Sequence, residues 1–283
     1  MPILSKIHRG IIVVKYISKF IMQPLTKVQD RVWNKIPELT FLFWIMKITA
    51  TTLGETGGDL LAQTLGVGYG ISTIIFFAFF LIMLFCQLIT KKYIPPIYWG
   101  VIVATSTAGT TMSDYMDRTL GLGYAVGSLI LITILITILI IWRLTEKTLS
   151  VTNIKSIRGE LFYWAAILFS NTLGTALGDF LADDSGLGFG GSALLISSAL
   201  VLIIIAYYFT KLSRIALFWF AFVLTRPFGA TFGDLLTKST EKGGYDLGTK
   251  GTSLILFTFL IILIIYEVIW AKKHRPKKIL QST

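Results

Sequence analysis

Gly54-Glu-Thr-Gly-Gly-Asp59 returns three times along the chain, as Gly109-Thr-Thr-Met-Ser-Asp114, Gly174-Thr-Ala-Leu-Gly-Asp179 and Gly229-Ala-Thr-Phe-Gly-Asp234. The shared pattern is Gly, three residues, Gly or Ser, then Asp. A tryptophan stands ten residues before each first glycine: Trp44, Trp99, Trp164 and Trp219. The repeats step by 55, 65 and 55 residues, so the first two are displaced from the last two by 120 in both cases. A segment duplicated and then duplicated again leaves this record. Seven residues after each of the first three aspartates a second glycine opens Gly66-Val-Gly-Tyr69, Gly121-Leu-Gly-Tyr124 and Gly186-Leu-Gly-Phe189. The fourth repeat delays its match to Gly248 by an insertion of seven residues. Glycine takes positive φ without strain, so these sites read as turns between antiparallel helices, and each repeat as one helical hairpin.

The apolar residues fall in eight blocks: about 39–64, 69–90, 97–119, 122–142, 160–182, 188–210, 215–237 and 250–271. Each is near the roughly 20 residues that cross a bilayer. The 283-residue chain is 54% hydrophobic and only 14% charged, with a mean hydropathy of +0.74. Soluble domains carry about 25% charged residues, so an ordinary soluble enzyme and a disordered chain are both excluded. The expected fold is an all-α polytopic membrane protein with eight transmembrane helices, built from four parallel helical-hairpin repeats in two duplicated pairs. The organisation expected is a basic amphipathic interfacial segment over 1–36, membrane halves over 37–150 and 151–271, and a basic tail over 272–283. Within the first segment, 3–22 reads as a surface helix whose lysines reach lipid headgroups, or as a weakly ordered basic tail.

The net charge of +11 does not point to nucleic acid. Twenty of the 26 Lys and Arg fall in the termini and in the gaps after spans two, four and six, against four in the remaining gaps. That bias places both termini in the cytoplasm. The single cysteine, Cys86, lies inside an apolar run, and the two histidines, His8 and His274, lie in the tails. No disulfide framework, thiolate cluster or buried-histidine mechanism is expected.

The small residues of the motif lie four apart: Gly54 and Gly58, Gly109 and Ser113, Gly174 and Gly178, Gly229 and Gly233. This spacing lets helix backbones approach closely in lipid and predicts that the four odd-numbered helices pack around a centre. The aspartates carry more information. An ionisable group within a span costs about 2.5–3.5 kcal/mol on insertion scales and turns away from lipid. Positions three, four and seven earlier share each aspartate's helix face. There stand Thr56, Glu55 and Thr52 for Asp59, and Thr111, Thr110 and Thr107 for Asp114. Thr175 and Thr172 serve Asp179, and Thr231 serves Asp234. Carboxylates above tracks of hydroxyls suit hard cations such as Mn²⁺, Mg²⁺, Ca²⁺ or Na⁺, so Glu55, Asp59, Asp114, Asp179 and Asp234 are the expected metal-ion ligands. The plain structural alternative is that the threonines bond their own backbones and the aspartates bond helix ends.

The repeats differ at this face. Glu55 adds a carboxylate one turn from Asp59, Lys47 lies three turns away, and Arg226-Pro227 replaces hydroxyl positions in the fourth repeat, where the third has Asn171. Lys47, Arg226 and Asn171 are expected to pair charges or gate the path. Glu55 and Asp59, like charges at i, i+4, are the expected proton-coupling pair.

The set Pro37–Trp44, Lys47 and Thr51–Asp59, with its three echoes, resembles a family of bacterial inner-membrane proteins labelled "uncharacterised membrane-anchored protein". The resemblance covers nearly the whole chain outside the tails and implies a bacterial multi-pass inner-membrane protein. Glu55–Asp59 also resembles, more distantly, the Glu-x-Gly-Asp element of calcium and manganese exporters. Its spacing is one residue longer and no inverted repeat accompanies it.

These features point to a secondary transporter or exporter of an inorganic cation, with divalent charge and proton coupling expected. The alternatives are a passive ion channel and a non-transporting structural or assembly protein. An enzyme is not expected, since no nucleophile–His pair and no P-loop occur. Beyond the hard cation no cofactor is expected. The expected partners are the lipid bilayer, a small inorganic ion and a second copy of the chain in a homo-oligomer, with no nucleic acid.

Overall fold

A computed structural model describes residues 35–151, 154 and 156–273. The expected surface helix at 3–22 and nearly all of the tail at 272–283 lie outside the described residues. Eight α-helices are described, with no strand among the described residues. They are α1 (Phe41–Asp59), α2 (Tyr69–Ile89), α3 (Pro95–Asp114), α4 (Tyr124–Glu146), α5 (Ile157–Asp179), α6 (Gly188–Phe209), α7 (Arg214–Thr237) and α8 (Thr249–Lys273). Hydroxyl caps start three of them: Thr40, Ser156 and Ser213 accept from the backbone N–H groups of Phe43, Gly159 and Ala216. Proline at the first turn starts α3, where its missing N–H is no loss.

α1, α3 and α5 do not stop at their aspartates. Each passes into a five-residue π-helix, Leu60–Thr64, Tyr115–Thr119 and Phe180–Asp184. The Gly-x-Gly turn then reverses the chain, with φ of 69° and 81° at Gly66 and Gly68 and of 72° at both Gly121 and Gly123. α7 lacks the π segment. It runs as α-helix through Pro227 to Thr237, and its longer loop carries a 3₁₀ turn at Thr240–Lys242.

The odd-numbered helices form a closed inner ring in the order α1, α3, α5, α7, with α7 packed back on α1. The first glycine of each repeat makes the contact. A Cβ at Gly54 would strike Ser106, at Gly109 Asn171 and Thr172, at Gly174 Arg226, and at Gly229 Thr51. Each glycine thus admits residues two or three before the corresponding glycine of the next helix. Gly58 meets Thr110, Gly178 meets Ala230 and Gly233 meets Glu55 in the same cyclic sense. Ser113 takes a different part, donating to Asp117 at 3.2 Å.

The outer helices correct the hairpin expectation. α2 packs on α3, α4 on α5, α6 on α7, and α8 on α1, so each outer helix covers the inner helix of the following repeat and not of its own. The repeat is a unit of copying, while the packed pair straddles two copies. Hydropathy periodicity cannot register this, because an apolar helix face suits either neighbour. The same contacts join α3 to α5 and α1 to α7 across residue 150, so the expected halves interlock in one ring.

Six helices are long and apolar enough to cross a membrane: α2, α4, α5 with its π segment, α6, α7 and α8 over Thr249–Ala271. In α2, α4, α6 and α8 most of the apolar surface faces outward, as in a lipid-exposed layer. The tryptophans of the repeat face inward. Trp99 and Trp164 are wholly buried and Trp219 nearly so, inside an aromatic collar with Phe43, Tyr98, Tyr163 and Phe222 at the start of the inner ring. Indole packs there against other rings at edge-to-face angles.

Candidate functional site

Helical register sets the polar side chains in layers along the ring axis. Nearest the aromatic collar is Lys47, fully buried. Its Nζ lies 4.2 Å from the centre of the Phe222 ring and 3.5 Å from Asn171 Oδ1. Asn171 donates through Nδ2 to Thr105 Oγ1 at 3.0 Å. No carboxylate among the described residues forms an ion pair with Lys47, so its expected part in neutralising the aspartates is not what the structure has.

Eight residues on, about 12 Å along the axis, comes the central layer. Arg226 is fully buried and reaches Glu55 Oε2 through Nη2 at 3.0 Å. The same Nη2 donates to Thr175 Oγ1 at 2.7 Å and to Thr110 Oγ1, and Nη1 donates to the Thr51 carbonyl at 3.3 Å. Thr110 and Thr175 in turn donate to Glu55 Oε2, each at 3.3 Å. All four inner helices therefore meet at one buried ion pair. Glu55 is held by a guanidinium and two hydroxyls. Burying this pair without loss requires the lone pairs and N–H groups to be filled; the contacts above serve both Nη groups, while Arg226 Nε has no partner among the described residues.

The aspartate layer closes the ring end. The four carboxylates are not gathered into one site but held in two pairs, each bridged by a cation from the chain. Arg118 reaches Asp114 through Nε at 3.1 Å and Asp179 through Nη2 at 3.0 Å. Lys238 Nζ lies 2.5 Å from Asp59 and 3.2 Å from Asp234. Arg118 and Lys238 are 120 residues apart, like the repeats that carry them, and each stands four residues after its own aspartate. Counting them among loop charges hides this role; the i, i+4 spacing from Asp114 and Asp234 is the signal that reveals it. Gln63, in the equivalent place of the first repeat, donates to Asp59.

One carboxylate oxygen each from Glu55, Asp59 and Asp234 lie within 4.8 Å of one another. Asp114 and Asp179, also of the expected metal-ion set, stand with Arg118 and outside this group. A cleft of about 470 Å³ reaches Asp59 and Lys238 from the loop side, lined also by Gln63, Thr237, Lys242 and Thr249. For the ammonium of Lys238 burial acts downward, but Asp234 and then Asp59 outweigh it and hold the group above the ordinary lysine value of 10.5.

The hydroxyl track is largely spent on backbone. Thr52 donates to Ile48 O at 2.9 Å, Thr107 to Val103 O at 3.1 Å, Thr111 to Thr107 O at 3.3 Å, Thr172 to Leu168 O at 3.0 Å and Thr231 to Pro227 O at 3.0 Å. Thr56 accepts from Ser253 of α8 at 2.9 Å. Threonines three or four residues below the aspartates thus lie on the shared face in spacing, yet only Thr110 and Thr175 join the central ion pair.

A ring of four tandem helical repeats with outward apolar faces and buried charge on its axis defines a polytopic membrane protein of internal-repeat type. The chain belongs to the family described as Repeat of Unknown Function (DUF347), which matches it four times, over residues 42–93, 97–148, 162–213 and 217–272. No curated protein and no solved structure matches the chain.

Proposed function

We propose that the chain is a secondary transporter of an inorganic cation, with Asp59, Asp234 and Glu55 as the carboxylates that take the ion and Lys238 as the tethered cation it displaces. The observation that carries this reading is the placement of a single lysine ammonium between Asp59 and Asp234, at the foot of a cleft, with Glu55 within reach of both carboxylates. Lysine is a flexible point charge, suited to leaving and returning. Glu55 is already matched by Arg226, so withdrawal of Lys238 leaves two carboxylates unmatched, the charge of one divalent cation. Oxygen donors alone favour hard ions such as Mn²⁺, Mg²⁺ or Ca²⁺. Exchange of that ion against protons on the same carboxylates is the proposed coupling.

In this reading all eight helices cross the bacterial inner membrane. α1 and α3 are the more polar because most of their residues are buried in the ring, and the basic termini and even-numbered gaps face the cytoplasm. A passive channel fits less well, since Arg226 and its four-helix contacts fill the axis. The non-transporting alternative draws on the backbone-bonded threonines and on the aspartates being paired within the chain. Cation binding separates the two. Isothermal titration calorimetry on the purified protein, with Na⁺, Ca²⁺, Mg²⁺ and Mn²⁺ in turn, is expected to detect binding that Asp59→Asn abolishes and Lys238→Gln tightens. Absence of binding in both the wild type and Lys238→Gln contradicts the transporter reading and favours the structural one.

A further inference from the structure

The aspartate end of the ring is fastened at two seams that descend from one another, and the copies differ in three respects. At the α3–α5 seam the fastening is a rigid fork. Arg118 engages Asp114 and Asp179 through different nitrogens, donates from Nη1 to the Tyr69 hydroxyl at 3.4 Å, and lies 5.6 Å from the Tyr124 ring centre and 6.0 Å from that of Tyr69. At the aspartate end of the α7–α1 seam the fastening is one ammonium on a flexible stem, with the Arg226–Glu55 pair crossing the same seam deeper in the ring. Secondly, α3 enters a π-helix straight after Asp114, whereas α7 carries Pro227 within its α-helix. Proline removes a backbone hydrogen bond and gives a helix a defined place to bend. Thirdly, the cleft of about 470 Å³ opens onto Asp59 and Lys238 of the α7–α1 seam.

We infer that the two seams have diverged in role. Arg118 is a positioning residue that keeps the α3–α5 seam shut, and the ring opens at its aspartate end only along the α7–α1 seam, on release of Lys238. Opening one seam of a closed ring and holding the opposite one turns the fixed seam into a hinge, so the carboxylates of the free seam meet water while the central ion pair keeps its partners on α3 and α5. The inference rests on the transporter reading for what replaces Lys238; the opening itself needs no substrate.

The test is the accessibility of paired positions in the protein with Cys86→Ser, reconstituted in nanodiscs and treated with a water-soluble maleimide. Thr56→Cys and Ala176→Cys stand 120 residues apart on α1 and α5, each one turn before its aspartate, and both native side chains are buried. Thr56 lies at the α7–α1 seam, where a Cβ at Gly233 would be 3.4 Å from its methyl group. The expected result is labelling at Thr56→Cys and protection at Ala176→Cys. Lys238→Gln should speed the first about fivefold, the ratio that loss of about 1 kcal/mol of closing energy gives, and Lys238→Arg should slow it. Equal labelling of the two positions, or a rate at Thr56→Cys indifferent to Lys238, overturns the inference. Should either cysteine variant fail to fold, hydrogen exchange on the unmodified protein reads the same asymmetry: amides of 55–64 and 228–237 are expected to exchange faster than those of 108–117 and 175–184, and equal exchange overturns it. Labelling asymmetry without cation binding would leave this inference standing and remove the transporter reading.

Discussion

At the centre of the ring, Arg226 places a full charge where no water reaches it, and Glu55 answers that charge. Removing one partner strands the other, at a cost of about 3–5 kcal/mol for a buried pair, whereas removing both costs far less. Arg226→Met is therefore expected to lower thermal stability sharply, and the double variant Arg226→Met/Glu55→Gln to recover most of it, as differential scanning fluorimetry in detergent would measure. The Lys238 clamp behaves differently with pH. Its ammonium is held above the ordinary lysine value, so its contribution to stability is fully present below about pH 10 and is lost only as pH rises through the raised value. In the wild type, alkaline loss of the clamp is therefore expected only above about pH 10, as melting temperature against pH would measure. Loss attributable to Lys238, absent in Lys238→Met, already between about pH 7 and pH 9 would show that the ammonium is not held by Asp59 and Asp234. Glu55, Asp59 and Arg226 were legible as unusual residues because the other repeats lack them or echo them. Arg118 and Lys238 were not, since a count of loop charges assigns them to orientation while helical spacing assigns them to the aspartates one turn before.

Among the elements, the glycines fall into two physical classes. Gly54 is needed for closeness: a methyl group there meets the side chain and backbone of Ser106. Gly66 is needed for conformation, with φ of 69° and nothing within 4 Å of a would-be Cβ. Gly54→Ala is expected to force α1 from α3, at the roughly 1–3 kcal/mol typical of overpacking. Gly66→Ala should cost about 1–2 kcal/mol through backbone strain alone. The two are separable by disulfide trapping between α1 and α3, which the first variant should impair and the second should leave intact. Motif spacing carried the helices, the Gly-x-Gly turns and the small-residue faces, because each depends on residues close in sequence. It did not carry the shift by which α2 leaves α1 to cover α3, since that choice is made between two apolar grooves of similar character. Nor did it carry the π-helices after Asp59, Asp114 and Asp179, which have no periodic signature.

For the molecule as a whole, the ring closes because α8, the outer helix of the last repeat, returns to cover α1 of the first. Glu267 near the end of α8 also ties that helix to the start of α3, accepting from Tyr93 at 2.8 Å and from Trp99 Nε1 at 3.0 Å. Glu267→Leu leaves both donors unmet and is expected to destabilise the closure by about 1–3 kcal/mol, with faster proteolysis of α8 as the readout. The fourfold ring is thus a packing symmetry; Arg118 and Lys238 follow the twofold of the later duplication, while Lys47, Glu55 and Arg226 have no charged counterpart 120 residues away. The central claim is that the Lys238 seam, with Asp59 and Asp234, carries a cation. The most direct measurement is flux into proteoliposomes holding the purified protein, for Na⁺, K⁺, Ca²⁺, Mg²⁺ and Mn²⁺, with and without a pH gradient, beside folded Asp59→Asn and Asp234→Asn. Saturable flux of a divalent cation that responds to the gradient and is lost in both variants is the expected result. Absence of flux for every ion, or flux unchanged by either substitution, would contradict the claim.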